Sequence, residues 1–123
     1  MYNTQVTALD LSNMTNLTTL ACYNNNLTSL NISGDTALKN LSCYKNNLQS
    51  LNTSDSPALT ELDCKENGIT ELDLSRNTQL QKLYCANNSL TTLDVSNNLD
   101  ITSLDCGSNK LTTLEIKANT KLD

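Results

Sequence analysis

Five cysteines, a pair of carboxylates and a row of tyrosines are the side chains in this sequence that chemistry could use. Cys22, Cys43, Cys64, Cys85 and Cys106 recur every 21 residues. Such a set raises disulfides, a zinc site or a reactive thiolate. A disulfide needs Cβ atoms turned toward each other. Zinc needs ligands that converge on one point. A thiolate nucleophile needs a base beside it, ordinarily histidine. The chain has no histidine, and an evenly spaced column stacks its side chains in parallel without converging. The cysteines are therefore read as small buried hydrophobes, and no metal, cofactor or catalytic residue is expected. Glu61 and Asp63 stand two apart on one strand, a spacing that raises glycoside hydrolysis. Lys65 on the same segment and Lys82 one repeat further on make surface ion pairs the simpler reading. Tyr2, Tyr23 and Tyr44 share one column and Tyr84 stands beside it. Exposed tyrosines offer large contact area at low entropic cost, while stacking along the sheet is their structural alternative.

The elements that position these residues follow from the repeat. The unit reads L-x-x-L-x-C-x-x-N-x-L-T-x-L-D-[LIV]-S-x-N-T-x, without insertion or deletion across the 123 residues. Glu61-Leu62-Asp63-Cys64-Lys65 alternates polar and apolar, the period of a half-buried strand. Leu62 and Cys64 then face inward, and Glu61, Asp63 and Lys65 face outward. Stacked units make a parallel sheet with strands about 4.8 Å apart. Glu71-Leu72-Asp73-Leu74-Ser75 alternates again and predicts a second short extended segment on the opposite side. Asn77-Thr78 and its equivalents supply turn chemistry. A second asparagine column, Asn25, Asn46, Asn67, Asn88 and Asn109, follows each strand at a sharp bend. Its amides are expected to satisfy backbone groups there. The sequence thus predicts an all-β-rich solenoid of about six repeats, with the parallel sheet on the concave face.

The segment L-x-x-L-x-C-x-x-N-x-L resembles the leucine-rich repeat. Its length, its cysteine column and its L-[DN]-x-S-x-N-T tail are similar to the internalin family of bacterial surface proteins, the internalin J type above all. The resemblance implies a bacterial surface or secreted parent and a concave face that binds a protein or glycan. It also implies terminal caps, whereas Met1 stands in a cysteine place and Leu122-Asp123 opens a further unit. Residues 1–123 are accordingly expected to be a single array that starts and ends mid-repeat, a fragment of a longer protein. Uncapped ends would favour end-to-end self-association.

Composition narrows the function classes. Thirteen acidic residues against eight basic give a net charge of −5, which disfavours nucleic acid. No apolar run approaches the roughly 18 residues of a membrane span, so membrane insertion is not expected. The candidate ligand-binding residues are Tyr2, Tyr23, Tyr44, Tyr84, Glu61, Asp63, Lys65 and Lys82. The alternative to a binding module is a rigid spacer or self-assembling scaffold. The acidic convex column, Asp10, Asp73, Asp94 and Glu115, could hold cations weakly, but capping of local turns is the plainer reading. The threonine column Thr7, Thr28, Thr70, Thr91 and Thr112 is interrupted by Gln49, which speaks against an ice-binding face.

Overall fold

The structure, a computed structural model, describes residues 5–123. Tyr2, and with it the start of the tyrosine row, lies outside the described residues. Short alternating segments yield short strands. They are β1 (Ala8–Asp10), β2 (Thr19–Ala21), β3 (Ser29–Asn31), β4 (Asn40–Ser42), β5 (Glu61–Asp63), β6 (Lys82–Tyr84), β7 (Thr92–Asp94), β8 (Ser103–Asp105) and β9 (Thr113–Glu115). One parallel sheet of five strands runs β2-β4-β5-β6-β8 and forms the concave face. Its register puts Leu20, Leu41, Leu62, Leu83 and Leu104 in line, one per repeat. This follows from the 21-residue period, because a slip of one residue would turn every leucine outward.

Parallel hydrogen bonding continues past each strand. The Cys22, Cys43, Cys64 and Cys85 amides donate to Ser42, Asp63, Tyr84 and Asp105 carbonyls at 2.8–2.9 Å. Two residues on, the chain bends through the left-handed region at Asn24, Lys45, Glu66, Asn87 and Ser108, with φ of 53, 54, 53, 57 and 52°. Asparagine tolerates that region; lysine and glutamate are strained there. The return path carries two tandem turns per repeat. In the third full unit the Asn77 amide donates to Leu74 O, and the Leu80 amide that opens the next unit donates to Asn77 O, both at 3.0 Å. Among the described residues no helix forms.

The convex side carries short extended segments that pair only in part. Paired strands occur only as β1-β3 and β7-β9. The stretches 49–52 and 70–73 make no inter-repeat backbone hydrogen bond among the described residues. The gap coincides with Gln49. In the flanking repeats Thr28 and Thr112 hydroxyls donate to the carbonyls of Thr7 and Thr91 at 3.2 and 3.3 Å. Glutamine has no such hydroxyl, and its side chain lies over Gly68. A Cβ at Gly68 would come within 2.3 Å of Gln49 Nε2.

The interior is one column-built core. Leu38, Leu59, Leu80 and Ile101 are fully buried, as are Leu62, Leu83, Leu48, Ile69 and Leu90. Each such side chain is worth about 1.5–3 kcal/mol when buried. Ordering one residue's backbone costs about 1–2 kcal/mol. One coil cannot offset that for its own 21 residues, and stacked coils that cover both faces of one another can. Replacing Leu62 or Leu83 by alanine should therefore cost about 2–5 kcal/mol in urea unfolding. Leu122 is only partly buried, and Leu122→Ala should cost much less. Equal losses at both places would contradict a core built by stacking.

Candidate functional site: the concave face and its supporting ladders

Behind the concave sheet stand the cysteines. All five are free thiols; Cys22, Cys43, Cys64 and Cys85 are buried and Cys106 is partly so. Burial raises every one of them above its ordinary pKa of 9.0: Cys22 to about 11, Cys85 to about 12, and Cys43 and Cys64 well above that ordinary value. A thiol held neutral in an apolar column is a packing group and a poor nucleophile. Among the described residues no three His, Cys, Asp or Glu side chains gather to hold a metal.

At the bend after each cysteine the asparagine does more than fill a turn. Asn46 Nδ2 donates to Cys43 O at 2.9 Å within its own repeat and to Cys22 O at 3.1 Å in the preceding one. Its Oδ1 accepts from Leu27 N, again in the preceding repeat, at 3.0 Å. Asn67, Asn88 and Asn109 repeat the arrangement on Cys43 and Cys64, Cys64 and Cys85, and Cys85 and Cys106. Their Oδ1 atoms accept from Leu48, Ile69 and Leu90 amides at 3.0 Å. Each side chain thus ties two coils together through backbone groups that the sheet leaves unpaired.

A second buried ladder was not legible as such. Asn77, read from the sequence as a turn residue, is buried together with Asn98 and Asn119. Asn77 Nδ2 donates to Thr53 O and Ser56 O at 3.0 and 2.9 Å; Asn98 and Asn119 do the same one and two coils on. Thr53 Oγ1 completes Asn77 by donating to its Oδ1 at 2.8 Å. Leucine and valine occupy the Thr53 place in the next coils, and Asn98 Oδ1 and Asn119 Oδ1 are left without a partner. The signal in the sequence was the recurrence of asparagine itself, stronger than a solvent-exposed turn requires.

The predicted face residues fall into two groups. Tyr23 and Tyr44 stack with ring centroids 4.6 Å apart and planes 8° from parallel. Further along, Lys82 Nζ lies 3.4 Å from Glu61 Oε2 and Lys65 Nζ 3.6 Å from Asp63 Oδ2. Lys65 also sits over the Tyr84 ring, 5.2 Å from its centroid. Burial pushes the Asp63 carboxyl up, and Lys65 pulls against that shift. The two carboxylates are thus engaged as ion pairs on a partly exposed surface, where such pairs contribute about 0–1 kcal/mol. The convex acids cap turns. Asp10, Asp73 and Asp94 each accept the amide of the serine two residues on, at 2.9 Å. The amides and hydroxyls of those serines hold the carboxyls below their usual range.

The family described as leucine-rich repeats in two copies matches residues 57–98. Among solved structures, the functional domain of InlJ from Listeria monocytogenes, which includes a cysteine ladder, is similar at 36% identity, with a TM-score of 0.50. The similarity covers 96% of this chain, and the chain spans 36% of that one. No curated protein matches. The protein is a leucine-rich-repeat solenoid. Within that class it is internalin-like, of the cysteine-ladder kind.

The thiols imply an alkaline limit to stability. In the unfolded chain they ionise near pH 9.0, whereas in the folded one they stay protonated to about 11 or 12 at Cys22 and Cys85. Above pH 9.0 the unfolded state therefore binds fewer protons, and stability present below that pH is lost as pH rises toward the folded values. Thermal melts should fall across that window. Cys64→Ala should show a shallower fall than the parent, and an unchanged slope would contradict the buried neutral column.

Proposed function

We propose that this chain is a non-enzymatic binding module of a bacterial surface or secreted protein, recognising a protein or glycan through its concave face. The observation that carries the reading is the contrast between columns. Leucine, cysteine and asparagine recur in nearly every coil, because the core and ladders demand them. The outward positions of β2, β4, β5, β6 and β8, and the positions just after each cysteine, are free of that demand, and they carry the stacked tyrosines and the charged group of Glu61, Asp63, Lys65, Lys82 and Tyr84. The stacked rings offer a rigid aromatic pair with hydroxyl groups for a ligand to contact, and the charged group supplies orientation. The similarity to the InlJ domain favours a surface or secreted parent.

The competing reading is a rigid spacer, in which the tyrosines only stiffen the sheet. Screening the folded chain against glycan and surface-protein panels, followed by titration of any hit, separates the two. Tyr23→Ala and Tyr44→Ala should each weaken a concave-face ligand by at least about 1–2 kcal/mol. Asp94→Ala, on the convex side, should leave binding unchanged. Loss of binding on the convex change with none on the tyrosines would move the site, and no ligand at all would favour the spacer.

A further inference from the structure

We propose that Asn67 is a deamidation site whose reaction the asparagine ladder holds off and whose exposure the convex gap controls. Asn67-Gly68 is the one place in the sequence where asparagine precedes glycine. The other ladder asparagines are followed by Asn26, Asn47, Ser89 and Lys110, all with side chains that shield the next backbone nitrogen. Glycine leaves that nitrogen open and gives it the widest range of backbone angles. The Gln49 side chain lies over this glycine, in the space a Cβ would take, and would have to shift to admit a larger residue.

The reaction is intramolecular. The Gly68 backbone nitrogen loses its proton and attacks Cγ of Asn67, forming a new C–N bond. The bond from Cγ to Nδ2 breaks, and Nδ2 leaves as ammonia. The resulting five-membered succinimide is opened by water at one of its two carbonyls. Attack at one returns a normal main chain with aspartate at position 67, and attack at the other gives isoaspartate. The net change is an amide plus water giving an acid plus ammonia.

In the closed solenoid both reacting groups are tied. Gly68 N donates to Leu48 O at 2.9 Å. Asn67 Nδ2 is held by Cys43 O, Cys64 O and Lys65 O at 3.2, 3.1 and 3.1 Å, and Oδ1 by Leu48 N at 3.0 Å. The side chain cannot swing to the Gly68 nitrogen without breaking these bonds. The restraint is weakest here, because 49–52 and 70–73 have no ladder bonds to their neighbouring coils. Segments with few backbone bonds between elements open first.

Closure after reaction is blocked. A carboxylate has no N–H to offer, so one of its oxygens would face the three carbonyl oxygens that Nδ2 now holds. Isoaspartate also adds a carbon to the main chain and breaks the 21-residue register. Each opening that proceeds to chemistry therefore removes the middle rung for good.

Peptide mapping by mass spectrometry after timed incubation at neutral pH tests this. In urea, Asn67 should convert faster than Asn25, Asn46, Asn88 and Asn109. In the folded chain its rate should fall by at least about tenfold, since reaction waits on opening. Gly68→Ser, the residue found one coil later at Ser89, should slow Asn67 in urea to the rate of Asn88. In aged folded samples the converted fraction should be the one most readily cut by protease. Equal rates among the asparagines in urea, no effect of Gly68→Ser, or equal rates folded and unfolded would overturn the proposal.

Discussion

Everything in this solenoid depends on one difficulty: after each concave strand the chain must turn, and its carbonyls lose their sheet partners while still buried. A buried unpaired carbonyl costs about 1–3 kcal/mol. Asparagine solves the problem in two directions at once. Its Nδ2 holds a carbonyl of its own coil and the matching carbonyl of the coil before, as Asn88 does with Cys85 and Cys64. Its Oδ1 takes an amide of the coil before, as with Ile69. Shortening any repeat by one residue would break both links, a physical reason for the uninterrupted 21-residue register.

The cysteine column follows from the same bend. The position lies between the sheet and the turn, and its side chain is buried in the core. A thiol is small, apolar when neutral, and able to stay neutral at any ordinary pH. The outcome is a scaffold whose interior is specified by three residue types and whose outer concave positions are free. Those outer positions can vary without altering the fold, and here they hold a stacked tyrosine pair and a charged group.

Much of this was legible from the chain. The period of 21, the alternation around Leu62 and the spacing of the cysteines predict the concave sheet and its register, and the structure has them. Ion pairing at Glu61 and Lys82 was also readable, because residues 21 apart become neighbours. The burial of Asn77 was not, since a turn residue and a buried rung share one letter. Which convex segments pair was not either. Glu71 to Ser75 alternates as a strand should, but pairing depends on the coils above and below. Gln49 and Gly68 change that geometry locally. A periodic pattern reports what each residue prefers on average, and the exceptions arise from contacts between two unlike repeats.

The central claim is that the asparagine rungs couple adjacent coils and do not merely shape individual bends. Amide hydrogen exchange on Asn88→Ala tests it most directly. Removing that side chain deprives Ile69 N of its acceptor and the Cys64 and Cys85 carbonyls of a donor. The account predicts faster exchange throughout the two coils that meet at Asn88, with a loss of at least about 2 kcal/mol in unfolding free energy, the sum of several buried bonds. Faster exchange confined to the Ile69 amide, with unchanged stability, would contradict it.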